Sequence, residues 1–67
     1  MKRMSGGSLR AAGYDERSRK LVVELTSGTL EFSDVPGEVW RRLSGASSPW
    51  SYYRDNIDEE YTARRIR

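Results

Sequence analysis

The clearest hydrophobic pattern in the chain predicts a β-hairpin. Apolar residues occupy every second position over 20–25 and again over 29–33, as expected when one face of a strand is buried. Ser27 and Gly28 separate the two segments, and glycine tolerates the positive φ of a tight turn. A weaker alternation over 9–14 predicts a preceding strand, so the pattern favours a three-stranded antiparallel meander.

Two prolines mark the beginnings of two predicted helices, which span 36–44 and 49–57. Pro36 and Pro49 suit the first turn of a helix, where the missing N–H would have no partner within the helix. Apolar side chains recur at helical spacing in both segments and give each helix one apolar face. Gly45 follows the first segment and is expected to end it.

These elements predict an α+β fold in which a three-stranded antiparallel meander packs against two short helices. Residues 1–8 are mostly polar, which predicts a flexible N-terminal lead-in before a single domain at 9–67. Residues 61–67 fit either a last helical turn or a short closing strand. The apolar faces predict a core in which Trp40 is the residue whose loss is most damaging: Leu9, Leu21, Val23, Leu25, Leu30, Phe32, Val35, Val39, Trp40, Leu43, Trp50, Tyr53 and Ile57.

Composition restricts the chemistry that the chain can perform. Its 67 residues include no cysteine and no histidine, which excludes disulfides and the usual zinc ligands, so we expect no metal and no cofactor. No standard pair of nucleophile and base can be assembled without these residues, and we expect a protein that is not an enzyme and has no catalytic residues. A small hydrolase would require a pocket that gathers Tyr14, Asp15 and an arginine. No apolar run reaches the length of a membrane span or of a secretory signal, which predicts a cytoplasmic protein with no membrane partner.

The placement of arginine suggests a surface for a nucleic acid. Arginines neutralise phosphates and exposed rings stack on bases. The alternative is a solvated surface on which arginines pair with carboxylates such as Glu38 and Asp55, and the near balance of 12 basic and 10 acidic residues favours it. The candidate nucleic-acid contacts are Arg41, Arg42, Tyr52, Arg54, Arg64, Arg65 and Arg67.

Two serines before the second predicted helix are candidates for an anion site. Free N–H groups at the beginning of a helix bind phosphate, so Ser47 and Ser48 would lie beside such a ligand. The alternative is ordinary capping, in which a serine oxygen accepts a hydrogen bond from the first turn. Capping signals occur in helices of every function, which favours this second interpretation.

One ordered set of residues runs through these predicted elements: Gly13-Tyr14-Asp15, Leu21 to Leu25, Ser27-Gly28, Leu30, Phe32, Val35-Pro36, Val39, Leu43, Ala46-Ser47, Tyr53, Ile57 and Tyr61. In this order the residues resemble the KTSC family, a small domain found at the C-terminal end of some lysyl-tRNA synthetases and as stand-alone proteins of bacteria and phages. The resemblance covers roughly residues 8–65, and no single motif in it is specific. The chain departs from the family at Ser48-Pro49 and Tyr53-Arg54, and at Leu30 and Phe32, where tyrosine is common.

The resemblance implies an accessory role related to RNA and transfers no catalytic residues. We therefore expect a non-catalytic binding module that contacts RNA or another nucleic acid. The alternative is a protein-interaction domain that recruits a partner through a sheet edge or through the second helix around Tyr52. Arginines gathered on one side would favour nucleic acid, whereas arginines dispersed among carboxylates would favour a protein partner or a structural role.

Overall fold

The protein folds into one antiparallel sheet and two helices, which confirms the predicted α+β class. The computed structural model describes residues 2–3 and 7–66. Within these ranges the elements in chain order are β1 (Lys2–Arg3), β2 (Leu9–Asp15), β3 (Lys20–Leu25), β4 (Gly28–Phe32), α1 (Gly37–Gly45), α2 (Pro49–Asn56) and β5 (Ala63–Arg65).

The predicted meander forms the centre of the sheet, and one short strand extends it at each edge. The strand order is β1-β2-β3-β4-β5, and every neighbouring pair is antiparallel. β1 lies within the segment at 1–8 that was expected to be a flexible lead-in, and residues 1 and 4–6 of that segment fall outside the described ranges. β5 shows that the C-terminal segment is a closing strand and not a last helical turn.

The core lies between the helices and one face of the sheet. The register aligns Leu21 with Tyr14 on one side and Phe32 on the other, and Val23 with Ala12. Eight of the predicted core residues are buried, and Ala12, which is not among the predicted core residues, is buried with them. The buried set is Leu9, Ala12, Leu21, Val23, Phe32, Val35, Leu43, Tyr53 and Ile57.

The prediction of a fully buried Trp40 is wrong. Trp40 is half-buried and stacks on Tyr14, with ring centroids 6.3 Å apart and an interplanar angle of 13°. Trp50 is also half-buried and stacks on Tyr53 at 5.7 Å. Each indole covers another ring at the border of the core, so part of its own surface stays in water. The other predicted core residues that pack against the core while remaining partly exposed are Leu25, Leu30 and Val39.

Both helices begin within one residue of the predicted positions. Pro36 is the N-cap residue of α1 and has extended backbone angles, and its carbonyl accepts a 3.0 Å hydrogen bond from the Val39 N–H. Pro49 is the first residue of α2, as the sequence predicts. Neither helix within the described ranges is long and apolar enough to cross a membrane.

Candidate functional site

The helices cover one face of the sheet and leave the other face open. Strand alternation places Ala11, Gly13 and Val22 on this uncovered face, because their neighbours along β2 and β3 form the core. The cross-strand partner of Val22 is Glu31, and the partner of Glu31 on β5 is Arg64. The uncovered face therefore presents small side chains, with the negative charge of Glu31 and the positive charge of Arg64 beside them.

A shallow depression of about 290 Å³ lies at the end of this face. Lys20 Nζ stands 3.6 Å from Glu31 Oε1 within it. The backbone N–H of Arg17 donates a 3.0 Å hydrogen bond to Asp15 Oδ1 and, with the Ser18 hydroxyl, holds the pKa of that carboxyl below its usual range. The depression thus presents two carboxylates and one ammonium group, and its lining is Gly13, Tyr14, Asp15, Ser18, Lys20, Val22 and Glu31.

This depression only partly matches the pocket that a hydrolase would require. It gathers Tyr14 and Asp15, but the cation in its lining is Lys20 and not an arginine. The Tyr14 hydroxyl donates a 2.6 Å hydrogen bond to the carbonyl of Val35, on the helix side of the sheet. The phenol is therefore directed away from the uncovered face. The described part of the chain contains no group of three or more Asp or Glu residues arranged to hold a metal ion.

The predicted arginine contacts on the helices are largely engaged with carboxylates. Arg42 Nη2 lies 2.6 Å from Glu38 Oε1, one helical turn away, and Arg54 Nε lies 3.6 Å from Asp55 Oδ1. Arg41 is exposed and has no ion pair among residues 2–3 and 7–66. The interpretation of these arginines as members of a solvated, paired surface therefore fits Arg42 and Arg54 better than Arg41.

The strand arginines lie apart from the helical ones. Register with Glu31 places Arg64 on the uncovered face of the sheet, whereas the helices occupy the opposite face. Arg65 Nη2 donates a 2.9 Å hydrogen bond to the Ser27 carbonyl at the tip of the β3–β4 hairpin. Arg67 lies outside the described residues. The candidate nucleic-acid contacts that the structure describes are thus distributed over both faces.

The remaining candidate residues lie at the beginning of α2 and within it: Ser47, Ser48 and Tyr52. Ser48 is the N-cap residue of α2, but its side chain accepts no hydrogen bond from the first turn. Its hydroxyl instead donates to Ser51 Oγ at 3.1 Å. Ser47 and Ser48 are exposed, and no described contact identifies a ligand beside them. Tyr52, expected to be the exposed ring of the second helix, is half-buried and packs against the core.

The sequence suggested a sheet edge as an alternative partner surface without assigning it to a strand, and the outer edge of β5 is one such edge. The Ser33 N–H donates to the Thr62 carbonyl at 3.3 Å, and the Ile66 N–H donates to the Thr29 carbonyl at 2.9 Å. Antiparallel bonding alternates along a strand, so Ala63 directs its peptide N–H and C=O away from β4. No strand in the described part of the chain pairs with this outer side. The sequence indicated β5 only through the option of a closing strand at 61–67. The three residues of β5, one alanine and two arginines, show no apolar alternation that would predict a strand.

Comparisons with known proteins agree with the resemblance seen in the sequence. The family model described as KTSC domain matches residues 5–61. The crystal structure of a KTSC domain protein from Yersinia pestis is similar, with a TM-score of 0.93, 22% sequence identity, and coverage of 98% of this chain and 94% of that chain. This level of identity shows a shared fold. The comparison with curated proteins finds no match. The family match extends over most of the chain, which therefore belongs to the KTSC domain family.

Proposed function

We propose that this KTSC domain is a non-catalytic module that binds a protein partner at the β5 edge of its sheet. The observation that supports the proposal best is the position of β5 as the last strand in the sheet order, with β4 on one side and no described strand on the other. Proteins recognise extended segments by adding them to such an edge, where main-chain hydrogen bonds supply affinity and side chains supply selectivity.

The distribution of charge favours a protein over a nucleic acid. Arg42 and Arg54 lie beside carboxylates, and Arg64 stands across from Glu31. Nucleic-acid sites gather unpaired positive charge along one surface. Here positive and negative groups alternate over short distances, which is the pattern that electrostatic complementarity with another protein uses.

Site-directed photocrosslinking tests the proposal. A photoreactive phenylalanine analogue replaces the exposed Thr62 beside β5, and the matched control carries it at the exposed Ser47 in the helix layer. Both variants are irradiated in a cytosolic extract of the source cells, because the sequence predicts a cytoplasmic protein. We expect a protease-sensitive adduct from position 62 and none from position 47. The proposal fails if position 62 gives no adduct, or one that nuclease removes and protease does not.

Nucleic-acid binding is the second candidate, and the exposed guanidinium of Arg41 is the observation that favours it. Arg41 has no ion pair in the described ranges, and the family takes its name from its association with some lysyl-tRNA synthetases. The test is titration with mixed RNA and DNA oligomers at low salt. Under this candidate Arg41→Ala weakens binding more than Arg42→Ala, whose guanidinium already pairs with Glu38, and binding decreases steeply as salt rises. Absence of binding at low salt rejects it.

A further inference from the structure

We infer that the β5 edge selects an extended acidic segment, with a carboxylate opposite Arg64 and an apolar side chain opposite Ile66. This inference rests on the proposed function, because it specifies the chemistry of the partner at the same edge. It concerns residues 63–66, which lie beyond the segment that the family model matches.

The backbone of β5 determines how a sixth strand would align. Thr62 bonds to Ser33, the residue after β4, and Ile66 bonds to Thr29 of β4. Ala63 therefore lies at a position that directs its peptide groups outward. An added strand would exchange hydrogen bonds with Ala63. The next residue, Arg64, would then occupy a pair without direct hydrogen bonds, where opposing Cα atoms approach to about 4.5 Å and side chains lie closest. The side chain opposite Arg64 therefore contributes most to selectivity.

Arg64 and Ile66 lie on the same side of the sheet. They are two residues apart, and the register of Arg64 with Glu31 assigns this side to the uncovered face. Ile66 is 42% exposed and is the large hydrophobic residue that the described chain leaves in water. An incoming strand that covers both residues needs an acidic and an apolar residue two positions apart, because side chains alternate along it in the same way.

The charges at the sheet edges favour an acidic partner and oppose a second copy of the chain. Arg64 is exposed on β5, and Arg3 is exposed on β1 at the opposite edge. Pairing two copies through these edges would place arginine near arginine, and like charges on adjacent strands are destabilising. A partner carboxylate would instead place Arg64 between itself and Glu31 on β4. The basic edges therefore discriminate between an acidic strand and another copy.

Two synthetic peptides of equal length test the inference, one alternating valine with glutamate and the other alternating valine with lysine. Binding to the intact chain is followed by NMR from backbone amide shifts and from the hydrogen-exchange rate of the Ala63 amide. We expect the glutamate peptide to shift resonances of β4 and β5 and to slow exchange at Ala63, and the lysine peptide to do neither. Arg64→Glu is expected to weaken binding of the glutamate peptide about fivefold, because the cross-strand pair at position 64 changes from favourable to unfavourable. The same substitution is expected to allow the lysine peptide to bind.

A charge-matched control separates recognition at β5 from general electrostatic attraction. Arg41→Glu changes the net charge equally on the helix layer and is expected to leave both affinities unchanged. Arg64→Gln removes the positive charge without adding a carboxylate that would repel Glu31. This variant replaces Arg64→Glu in the experiment if Arg64→Glu does not fold. Equal binding of the two peptides, shifts confined to the helices, or an equal loss with Arg41→Glu would overturn the inference. If position 62 crosslinks to a protein while the glutamate peptide does not bind, the acidic preference is wrong and the proposed function stands; if position 62 gives no protein adduct, the proposed function itself fails.

Discussion

The hydroxyl of Tyr14 donates a 2.6 Å hydrogen bond to the backbone carbonyl of Val35. This bond joins the end of β2 to the segment that leads into α1, across 21 residues of chain. The same ring stacks on Trp40 of α1, so one side chain attaches the first helix to the sheet in two ways. Because Val35 is fully buried, its carbonyl has no access to water as a substitute partner.

Replacing this tyrosine separates the hydrogen bond from the ring contact. Tyr14→Phe retains the stacking surface and removes the donor, which leaves the Val35 carbonyl without it. We expect the free energy of unfolding to decrease by about 1–3 kcal/mol, the usual cost of leaving a buried acceptor unsatisfied. Urea denaturation measures the change, and Tyr52→Phe is the control because no described hydrogen bond uses the Tyr52 hydroxyl. Equal stability of Tyr14→Phe and the unchanged protein would show that the bond contributes nothing.

On the helices, the most deeply buried aromatic residue is Tyr53 and not Trp40. Tyr53 is 2% exposed, meets Phe32 edge to face with centroids 5.9 Å apart, and stacks on Trp50. We expect Tyr53→Ala to cost about 3–5 kcal/mol, the value for a large buried aromatic. Trp40→Ala should cost less, roughly 1–2 kcal/mol, because part of the indole already contacts water. Denaturant midpoints of the two variants test the order, and a more damaging Trp40→Ala would restore the original prediction.

The sequence predicts the central strands well because each has apolar residues at every second position. The strand predicted at 20–25 is β3 to the residue, and the one predicted at 29–33 differs from β4 by one residue at each end. Periodicity identifies the apolar face of a helix but does not determine how deeply a side chain lies, so it placed Trp40 too far inside. Thr29 belongs to the polar side of its strand, yet it is only 8% exposed beside the pairing with Ile66.

The candidate site is less predictable because it depends on contacts between distant parts of the chain. The pair Glu38–Arg42 follows from a spacing of four residues on one helix and was expected. The separation of Arg64 from the helical arginines follows from the register with Glu31, which local sequence does not specify. β5 itself forms only against β4, and three charged or small residues give no intrinsic strand signal.

Position 7 requires glycine because of its backbone angle and because the indole of Trp50 lies against it. Its φ is +54°, and a β-carbon at this position would lie 2.3 Å from Cδ1 of Trp50. Gly7→Ala must displace Trp50 and adopt a left-handed conformation, so we expect a loss of at least about 1–3 kcal/mol in the free energy of unfolding.

Gly45 provides the matched control for this substitution. It is the last residue of α1, and a β-carbon there would meet nothing within 4 Å. Gly45→Ala is expected to stabilise the protein by up to about 1 kcal/mol, because alanine restricts the unfolded chain and favours helix. In a Trp50→Ala background the cost of Gly7→Ala should decrease to that of the backbone angle alone. A double-mutant cycle that shows no coupling between Gly7 and Trp50 would disprove this contact.

The phenol of Tyr53 makes stability depend on pH in the alkaline range. Burial raises its pKa to about 12 from the ordinary 10.0, and the Asp58 carboxylate, whose Oδ1 accepts a 3.4 Å hydrogen bond from the hydroxyl, adds to the rise. Between these two values the unfolded chain releases the proton while the native protein retains it. The unfolded state then binds fewer protons, so the free energy of unfolding decreases as pH rises, whereas below pH 10 the contribution of Tyr53 is constant.

Tyr53→Phe removes this titration and leaves the other ionising groups in place. Urea unfolding of both proteins, measured below pH 10 and then at steps between 10.0 and 12, isolates the effect of Tyr53 as the difference between two slopes. We expect the stability of the unchanged protein to fall more steeply than that of Tyr53→Phe within this interval. Parallel curves would mean that the phenol titrates alike in the folded and unfolded chains, and the inferred burial of its hydroxyl would then be wrong.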